Sequence, residues 1–237
     1  MKLVVALDLP TLKESLQLAE RLAQFRNQIW MKVGLRGYLR DGVKLIEPLQ
    51  RLGFPIFLDL KLHDIPNTIA DSAEVIGQLG VEMFNLHLSV GRRGVEEVLN
   101  RLEGKFRERP LVLGVTILTS LSPGEVEEIY GAPVEEKVVQ LAKVGFEGGL
   151  DGIVCSVWES RKIKKATSQN FLTLTPGIRP IGAPVDDQRR VATPADACRE
   201  LADFIVVGRP IYRAPEPERV VAKLLEKAER CGRIEKN

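Results

Sequence analysis

Short apolar segments alternate along this chain with longer segments whose apolar residues recur at helical spacing. The short segments are rich in β-branched residues and have the length of buried strands, and there are eight: 3–8, 30–34, 56–62, 83–88, 111–118, 152–156, 171–178 and 204–209. Among the longer segments, 12–23, 69–79 and 221–228 have apolar residues three or four positions apart, and Thr193 followed by Pro194 is typical of a helix start. The pattern predicts an α/β fold with a parallel sheet.

Strand–helix alternation repeated eight times in 237 residues predicts a closed (β/α)8 TIM barrel. No break in composition suggests a second domain, so we expect residues 1–237 to form a single domain. The alternative is an open doubly wound sheet, which would usually carry a glycine-rich phosphate-binding sequence after the first strand. Here the first strand runs into ALDLPT (6–11), and the closed barrel is favoured.

Composition and charge argue against two classes of partner. The chain is 44% hydrophobic and 28% charged, with 34 basic and 32 acidic residues and a net charge of +2. Because the sequence has neither a clustered basic face nor a long apolar stretch, we expect no nucleic-acid partner and no membrane partner. The N-terminal segment reads as a strand rather than as a signal peptide. Cys155, Cys198 and Cys231 form no CxxC pair, and we expect them to be reduced thiols in a cytoplasmic protein.

Polar residues gather where the predicted strands end. In TIM barrels the carboxyl ends of the strands form one rim, and active sites lie there. The polar residues and the glycine at these ends are Asp8, Lys32, Asp59, Lys61, His87, Thr119, Ser120, Ser156, Arg179, Gly208 and Arg209. A ring of such residues predicts an active site at this rim.

The segment FLDLKLHDIPNTI (57–69) places charges in and just after an otherwise apolar strand. Asp59 and Lys61 are two residues apart, so their side chains leave the same face of the strand. Lys32 on the neighbouring strand can lie beside them, and Asp64 comes just past the strand. A structural salt bridge is the alternative, but interior charges are costly and usually kept for function. We therefore predict a catalytic array of these four charged residues.

Two longer segments follow strand ends, 119–133 and 179–194. Long loops in compact domains are often lids, and we predict that 179–194 is the lid of this site. The loops after strands seven and eight of such barrels commonly hold a phosphate group, which arginine binds through two parallel hydrogen bonds. The predicted phosphate-binding residues are Arg179, Gln188, Gly208 and Arg209. Surface arginines on solvated loops are the alternative.

Neither histidine is predicted to be catalytic. His63 is expected to have a structural or supporting role. A core role suits His87 at least as well as a functional one. Two scattered histidines and unpaired cysteines predict no metal site, and no Ser-His-Asp arrangement is visible.

The segment DLKLHDIPNT (59–68) resembles the signature of the orotidine 5′-phosphate decarboxylase family in its bacterial form. Further blocks resemble this family in order and at suitable spacing, at 5–8, 32–34, 115–120, 175–180, 186–194 and 206–211. The resemblance covers nearly the whole chain. One block departs from it, because residues 85–94 read NLHLSVGRRG where a shorter run of small residues like VHASGG is expected.

The resemblance implies an enzyme that converts orotidine 5′-phosphate to UMP and carbon dioxide, the last step of de novo UMP synthesis, without a metal or organic cofactor. Lys61 would be the proton donor, Asp59 would lie beside the substrate carboxylate, and Lys32 would contact the ribose. Asp8 would bind the nucleoside, and the pyrimidine and phosphate contacts would come from Thr119, Ser120, Arg179, Gln188, Gly208 and Arg209. The family is active as a homodimer in which the second aspartate of the motif, here Asp64, reaches the neighbour's site with Ile65 and Thr68 alongside.

Three alternatives stay open at this point. A Mg²⁺-dependent phosphosugar decarboxylase or synthase on a related barrel would share Asp-x-Lys-x-x-Asp but lack Ile-Pro-Asn-Thr. A lyase could use Lys61 as a Schiff base. A non-catalytic nucleotide-binding regulator could use the same scaffold, although the full set of charged residues is present.

Overall fold

Eight parallel strands close into a barrel in the computed structural model, which describes residues 1–179 and 191–234, with side chains to residue 229. Each strand pairs with the next, and β1 pairs with β8 to close the ring. The strands are β1 (Lys2–Ala6), β2 (Ile29–Gly34), β3 (Ile56–Leu62), β4 (Met83–His87), β5 (Leu111–Val115), β6 (Gly152–Val154), β7 (Leu172–Thr175) and β8 (Phe204–Val207). The predicted single-domain (β/α)8 barrel is confirmed. That this single domain includes all of residues 1–237 stays a prediction.

Helices cover the outside of the barrel between the strands. They are α1 (Leu12–Leu22), α2 (Leu35–Asp41), α3 (Val43–Arg51), α4 (Pro66–Gln78), α5 (Gly91–Lys105), α6 (Pro123–Tyr130), α7 (Val134–Glu147), α8 (Val157–Ala166), α9 (Pro194–Arg199), α10 (Arg209–Tyr212) and α11 (Pro217–Ile234). The start of α9 is as predicted, with the Thr193 side chain accepting a hydrogen bond from the backbone of Asp196 and Pro194 in the first turn. A cap of this kind fixes where the helix begins, because it satisfies one of the unpaired N–H groups there.

The strands carry two separate apolar layers. One fills the barrel interior and contains Val4, Ala6, Phe57, Met83, Leu113, Val115, Val154, Leu174, Phe204 and Val206. The larger layer lies outside the barrel, and it includes Leu58 with Leu60 and Leu62 packed against it. Because side chains alternate along a strand, the residues that share the face of Phe57 on β3, namely Asp59 and Lys61, point into the barrel.

Ion pairs at the amino-terminal end of the barrel are structural. Lys164 on α8 is buried, donates hydrogen bonds to the carbonyl groups of Gln169 and Phe171, and lies 2.8 Å from Asp203, just before β8. Such a pair ties the outer helix to the strand entries. At the carboxyl-terminal end, by contrast, the charged side chains of Asp59 and Lys61 point into the barrel.

Several strands end earlier than predicted. Apolar residues continue past the ends of β5 and β7, where Ile117 and Ile178 are buried in the segments that follow the strands. Hydrophobicity therefore extends beyond the hydrogen-bonded strand. The segment 119–133 is also not a long loop, because it contains α6, which begins with a capping box between Ser122 and Glu125.

The cysteines differ from the prediction at one position. Cys155 is buried and is not disulfide-bonded, as expected. Cys198 on α9 is disulfide-bonded, so the expectation of a reduced thiol is wrong there. The helix packs against α11, a contact between segments distant in sequence that cysteine spacing did not reveal.

Candidate active site

A cavity of about 270 Å³ lies at the carboxyl-terminal end of the barrel. Nine predicted site residues line it: Asp8, Lys32, Asp59, Lys61, Thr119, Ser120, Arg179, Gly208 and Arg209. They come from strands and loops distributed around the whole ring, as expected where the carboxyl ends of parallel strands converge. The fold thus brings most of the predicted site together within one chain.

A cluster of charged side chains in this cavity is centred on the carboxylate of Asp59. The Nζ atom of Lys61 is 2.6 Å from Oδ1 of Asp59, and the Nζ atom of Lys32 is 3.1 Å from its Oδ2. Lys32 also lies 3.3 Å from Asp8 Oδ1. Two ammonium groups thus hold both oxygens of one carboxylate. At about 4 Å and an effective dielectric near 20, each such pair gains roughly 4 kcal/mol before desolvation, which offsets the cost of burial.

The surroundings keep these groups charged. Burial by itself raises the pKa of Asp59, but the ammonium groups of Lys32 and Lys61 and hydrogen bonds from Lys61 and Asn85 hold it well below its usual value. Burial lowers the pKa of Lys32, and the carboxylates of Asp59 and Asp8 outweigh this and raise it. Asp59 is therefore an anion and Lys32 a cation throughout the physiological pH range.

Gly34, at the end of β2, leaves room for this pairing. A Cβ atom at this position would lie 2.9 Å from both Asp8 Oδ1 and Lys32 Nζ. Either the lysine or the aspartate would then have to move. In the sequence, Gly34 belongs to the block at 32–34, and no role was predicted for it.

β3 departs from regular pairing at the residues that carry the charges. Leu58 pairs with Phe84, but the next paired residue, Leu62, lies opposite Leu86, so three residues of β3 face one residue of β4. Within this irregularity Lys61 has a φ of 55°, in the left-handed region. Bulges of this kind are frequent beside active sites, where they redirect a side chain. Regular strand alternation therefore predicted the correct face but not the local geometry.

Asn85 of β4 is the polar residue that the sequence reasoning missed. It is buried, its Oδ1 accepts a hydrogen bond from the backbone N–H of Lys61, and its Nδ2 donates to Oδ1 of Asp59, both at 2.7 Å. The signal was present as a single amide in the otherwise apolar run MF-N-L (83–86). A polar residue at a strand position that faces the interior needs a partner there.

The predicted phosphate residues lie at the ends of β7 and β8. Arg179 is 8% exposed and donates a hydrogen bond to the carbonyl group of Ile178. A bridge between Ile178 and Ala192 pairs the two ends of the predicted lid, with the N–H of Arg179 bonded to the carbonyl group of Ala192. Gly208 precedes α10, which begins at Arg209. Gln188 and most of the predicted lid lie outside the described residues.

Asp64, Ile65 and Thr68 are not among the described residues that line the cavity. They follow β3 at the start of α4; the carboxylate of Asp64 accepts a hydrogen bond from the N–H of Ile65, and Ile65 is 67% exposed. Asp64 thus does not join the other three charges in the described lining of this cavity. The convergence of all four charges in one site stays a prediction.

The two histidines lie next to each other outside the cavity lining given for the described residues. Their ring centroids are 5.3 Å apart, and Ser89 Oγ is 3.1 Å from Nε2 of His63. Burial and the charges of His63 and Lys61 lower the pKa of His87. His87 is therefore neutral near pH 7, which suits a packing role better than an acid–base role.

Within residues 1–179 and 191–234, with side chains to 229, no group of three or more His, Cys, Asp or Glu side chains is placed to hold a metal ion. None of the helices in these ranges is both long enough and apolar enough to cross a bilayer.

Comparison with known proteins gives consistent names. A family model described as the orotidine 5′-phosphate decarboxylase / HUMPS family matches residues 1–224. The chain is 55% identical over 231 residues to the orotidine 5′-phosphate decarboxylase of Campylobacter jejuni strain RM1221, covering 97% of this chain and 82% of that relative. It is 51% identical over 227 residues to the enzyme of the same name from Nautilia profundicola, covering 96% and 98%. The crystal structure of orotidine 5′-phosphate decarboxylase from Lactobacillus acidophilus superposes with a TM-score of 0.81 at 33% identity, covering 95% of this chain and 98% of that one.

Proposed function

This chain belongs to the orotidine 5′-phosphate decarboxylase family and decarboxylates orotidine 5′-phosphate to UMP, and we propose that Lys61 is the proton donor in this reaction. The observation that supports this role is the contact between Lys61 and Asp59 inside the cavity, with their charges 2.6 Å apart. Lys32 joins the pair on the other oxygen of Asp59. No other cluster of opposite charges lines this cavity among the described residues.

The chemistry explains why such an array is useful. Loss of carbon dioxide from the pyrimidine leaves negative charge on C6, with no adjacent carbonyl group to delocalise it. Cofactors usually supply an electron sink for such a step, and in this proposal fixed charges stabilise the carbanion instead. An ammonium group held close to C6 stabilises the developing charge electrostatically and then transfers its proton to that carbon.

Asp59 has two roles in this proposal. It holds both lysine ammonium groups in place, and its negative charge lies beside the carboxylate that the substrate loses. Repulsion between the two carboxylates weakens once carbon dioxide forms, so it favours the reaction, although such ground-state effects are contested as a quantitative cause. We therefore assign the larger contribution to Lys61. Asp8, Thr119 and Ser120, which line the same cavity, would contact the nucleoside.

The phosphate group of the substrate is expected to bind at the ends of β7 and β8, to Arg179, Gly208 and Arg209, with Gln188 from the predicted lid. Replacing Arg209 with alanine should lower kcat/KM by about 10- to 100-fold, because losing a hydrogen bond to a charged group costs roughly 1.5–3 kcal/mol. Steady-state kinetics on the nucleotide would measure this.

Arg213 provides the matched control for this prediction. It carries the same charge one turn further along the chain, is exposed and does not belong to the described cavity lining. Arg213→Ala should leave kcat/KM close to that of the wild type. Equal kinetics for Arg209→Ala and the wild type would contradict the phosphate role.

We propose a homodimer with shared active sites. Large apolar side chains are exposed on α2, at the start of α3 and at the start of α4: Leu35, Leu39, Val43 and Ile65 are 53%, 75%, 45% and 67% exposed. These elements follow β2 and β3, which are neighbours in the barrel, and exposed apolar patches commonly mark protein interfaces. Asp64 and Thr68 lie at the same edge, so dimerisation there would place Asp64 at the interface, and we propose that it reaches the neighbouring site from there.

We also propose a cytoplasmic location, which suits an enzyme of nucleotide biosynthesis. The disulfide at Cys198 is unusual for that compartment and does not support this assignment.

The activity itself is tested by following the loss of orotidine 5′-phosphate absorbance with and without EDTA. We expect turnover in both, since the proposed mechanism uses only side chains. Turnover that EDTA abolishes would favour the Mg²⁺-dependent alternative, and trapping of a covalent adduct at Lys61 by borohydride would favour a Schiff base. Binding of UMP without any turnover would identify a regulator.

A further inference from the structure

The irregular part of β3 is not held by regular pairing with β4, so other contacts must fix its conformation. Asp59, Leu60 and Lys61 lie together opposite Asn85, because pairing with β4 resumes only at Leu62. Lys61 is not glycine, yet its φ is 55°. A non-glycine residue stays in this conformation only where surrounding contacts fix it.

The side chain of Asn85 makes the contacts that fix it. It is 1% exposed, and its Oδ1 takes the place of a β4 carbonyl group as acceptor for the Lys61 N–H, at 2.7 Å. Its Nδ2 donates to Asp59 Oδ1, also at 2.7 Å. The amide can be oriented only in this way, because a backbone N–H can only donate and a carboxylate can only accept. One side chain thus connects the backbone of the proposed proton donor to the carboxylate that holds its ammonium group.

We propose that Asn85 is a positioning residue for decarboxylation: its amide holds the strained turn at Lys61 and the carboxylate of Asp59 in the one arrangement that places the Lys61 ammonium group for proton transfer. The inference rests on the proposed function of Lys61. Asn85 is not among the described residues that line the cavity, so it acts through these two neighbours rather than on the substrate.

The geometry predicts what its loss would do. Without the amide, the N–H of Lys61 loses its acceptor on β4. Among the described residues, Oδ1 of Asp59 then keeps only the Lys61 ammonium group as a hydrogen-bond donor. The backbone can then leave the left-handed region, which moves Lys61. A displacement of about 1 Å at a reacting group can cost on the order of 100-fold in rate.

Two substitutions separate the two hydrogen bonds. Asn85→Leu is similar in size and removes both. Asn85→Asp keeps an acceptor for the Lys61 N–H but replaces the donor to Asp59 with a second carboxyl group. The control is Thr116→Val on the loop after β5, which removes one equally buried hydrogen bond, to the carbonyl group of Val154, outside the described cavity lining.

For each variant, kcat, the Kd for UMP and Tm would be measured across a range of pH. We expect Asn85→Leu to lower kcat by about 10- to 100-fold while the Kd for UMP changes by less than about threefold, because only the transition-state geometry is lost. Thr116→Val should retain the wild-type kcat.

Asn85→Asp has its own signature. A carboxyl group introduced beside Asp59 has a raised pKa, and once protonated it can donate to Asp59 as the amide does. Its kcat relative to wild type should therefore rise as the pH falls. A purely structural asparagine would not produce this profile.

A wild-type kcat in Asn85→Leu, or a pH-independent ratio for Asn85→Asp, would overturn the proposal. Should Asn85→Leu fail to fold, the profile of Asn85→Asp decides alone. Failure of the proposed function gives a different result, because the wild-type enzyme would then show no turnover or Lys61→Ala would keep its activity.

Discussion

Replacing Lys61 with alanine is expected to abolish turnover while leaving the fold and the binding of UMP intact. The variant loses both the proton donor and the positive charge next to the developing carbanion. A positioned general acid contributes about 10²–10⁴-fold and a preorganised charge about 10²–10³-fold, so we expect kcat to fall by at least roughly 10⁴-fold.

The fold should survive because Asp59 remains paired. After removal of Lys61, its carboxylate still has Lys32 at 3.1 Å and the amide of Asn85 at 2.7 Å. The lysine side chain itself is 35% exposed, so its truncation leaves no large buried void. We therefore expect a Tm close to that of the wild type and a Kd for UMP within a few-fold of it. Near wild-type turnover in this variant would refute the proposed mechanism.

Lys164 offers the matched contrast at the other end of the barrel. It is 4% exposed, pairs with Asp203 at 2.8 Å and donates hydrogen bonds to the carbonyl groups of Gln169 and Phe171. Its replacement therefore removes an ion pair and leaves two carbonyl groups without this donor. Lys164→Met should therefore lower Tm clearly without lowering the kcat of the folded enzyme. Opposite effects of the two substitutions on kcat and Tm would separate the catalytic lysine from the structural one.

The barrel could be predicted from the sequence because its signal is repeated. Eight apolar segments alternate with amphipathic ones, and an error of a few residues at the end of β5 or β7 does not change the topology. The same periodicity placed Asp59 and Lys61 on one face, since alternation depends only on their spacing of two residues. The rim residues followed from the rule that strand ends converge, and the cavity lining agrees with nine of them.

The remaining features of the site and fold depend on contacts that the spacing of residues along the sequence does not reveal. The bulge that brings Lys61 onto Asp59 is held by Asn85, which lies 24 positions away from Lys61 and forms part of the block that departs from the family resemblance. The room that Gly34 leaves for Lys32 and Asp8 depends on three-dimensional packing, as does the disulfide at Cys198. Each of these features joins segments that are distant in sequence, and local patterns describe only neighbours along the chain.

Mixing two inactive variants should restore activity if Asp64 works in the neighbour's site. Asp64→Ala lacks the residue that is offered to the partner, and Lys61→Ala lacks the proton donor of its own site. In a mixed dimer, one site combines an intact Lys61 with an intact Asp64, and the other lacks both. With random assortment half of the dimers are mixed, so an equimolar mixture should reach about a quarter of the wild-type activity.

The control mixture pairs Lys61→Ala with Asp59→Ala. These two residues contact each other within one chain, at 2.6 Å, so every site of a mixed dimer still lacks one of them and no activity should return. The measurement is the decarboxylation rate after the subunits have been exchanged, either by coexpression or by joint refolding. If the Asp64 mixture stays inactive, or if the control mixture recovers as well, Asp64 is not shared between sites. Because Asp64 is absent from the described lining of its own cavity, recovery in the first mixture alone would show how this carboxylate reaches the other charges.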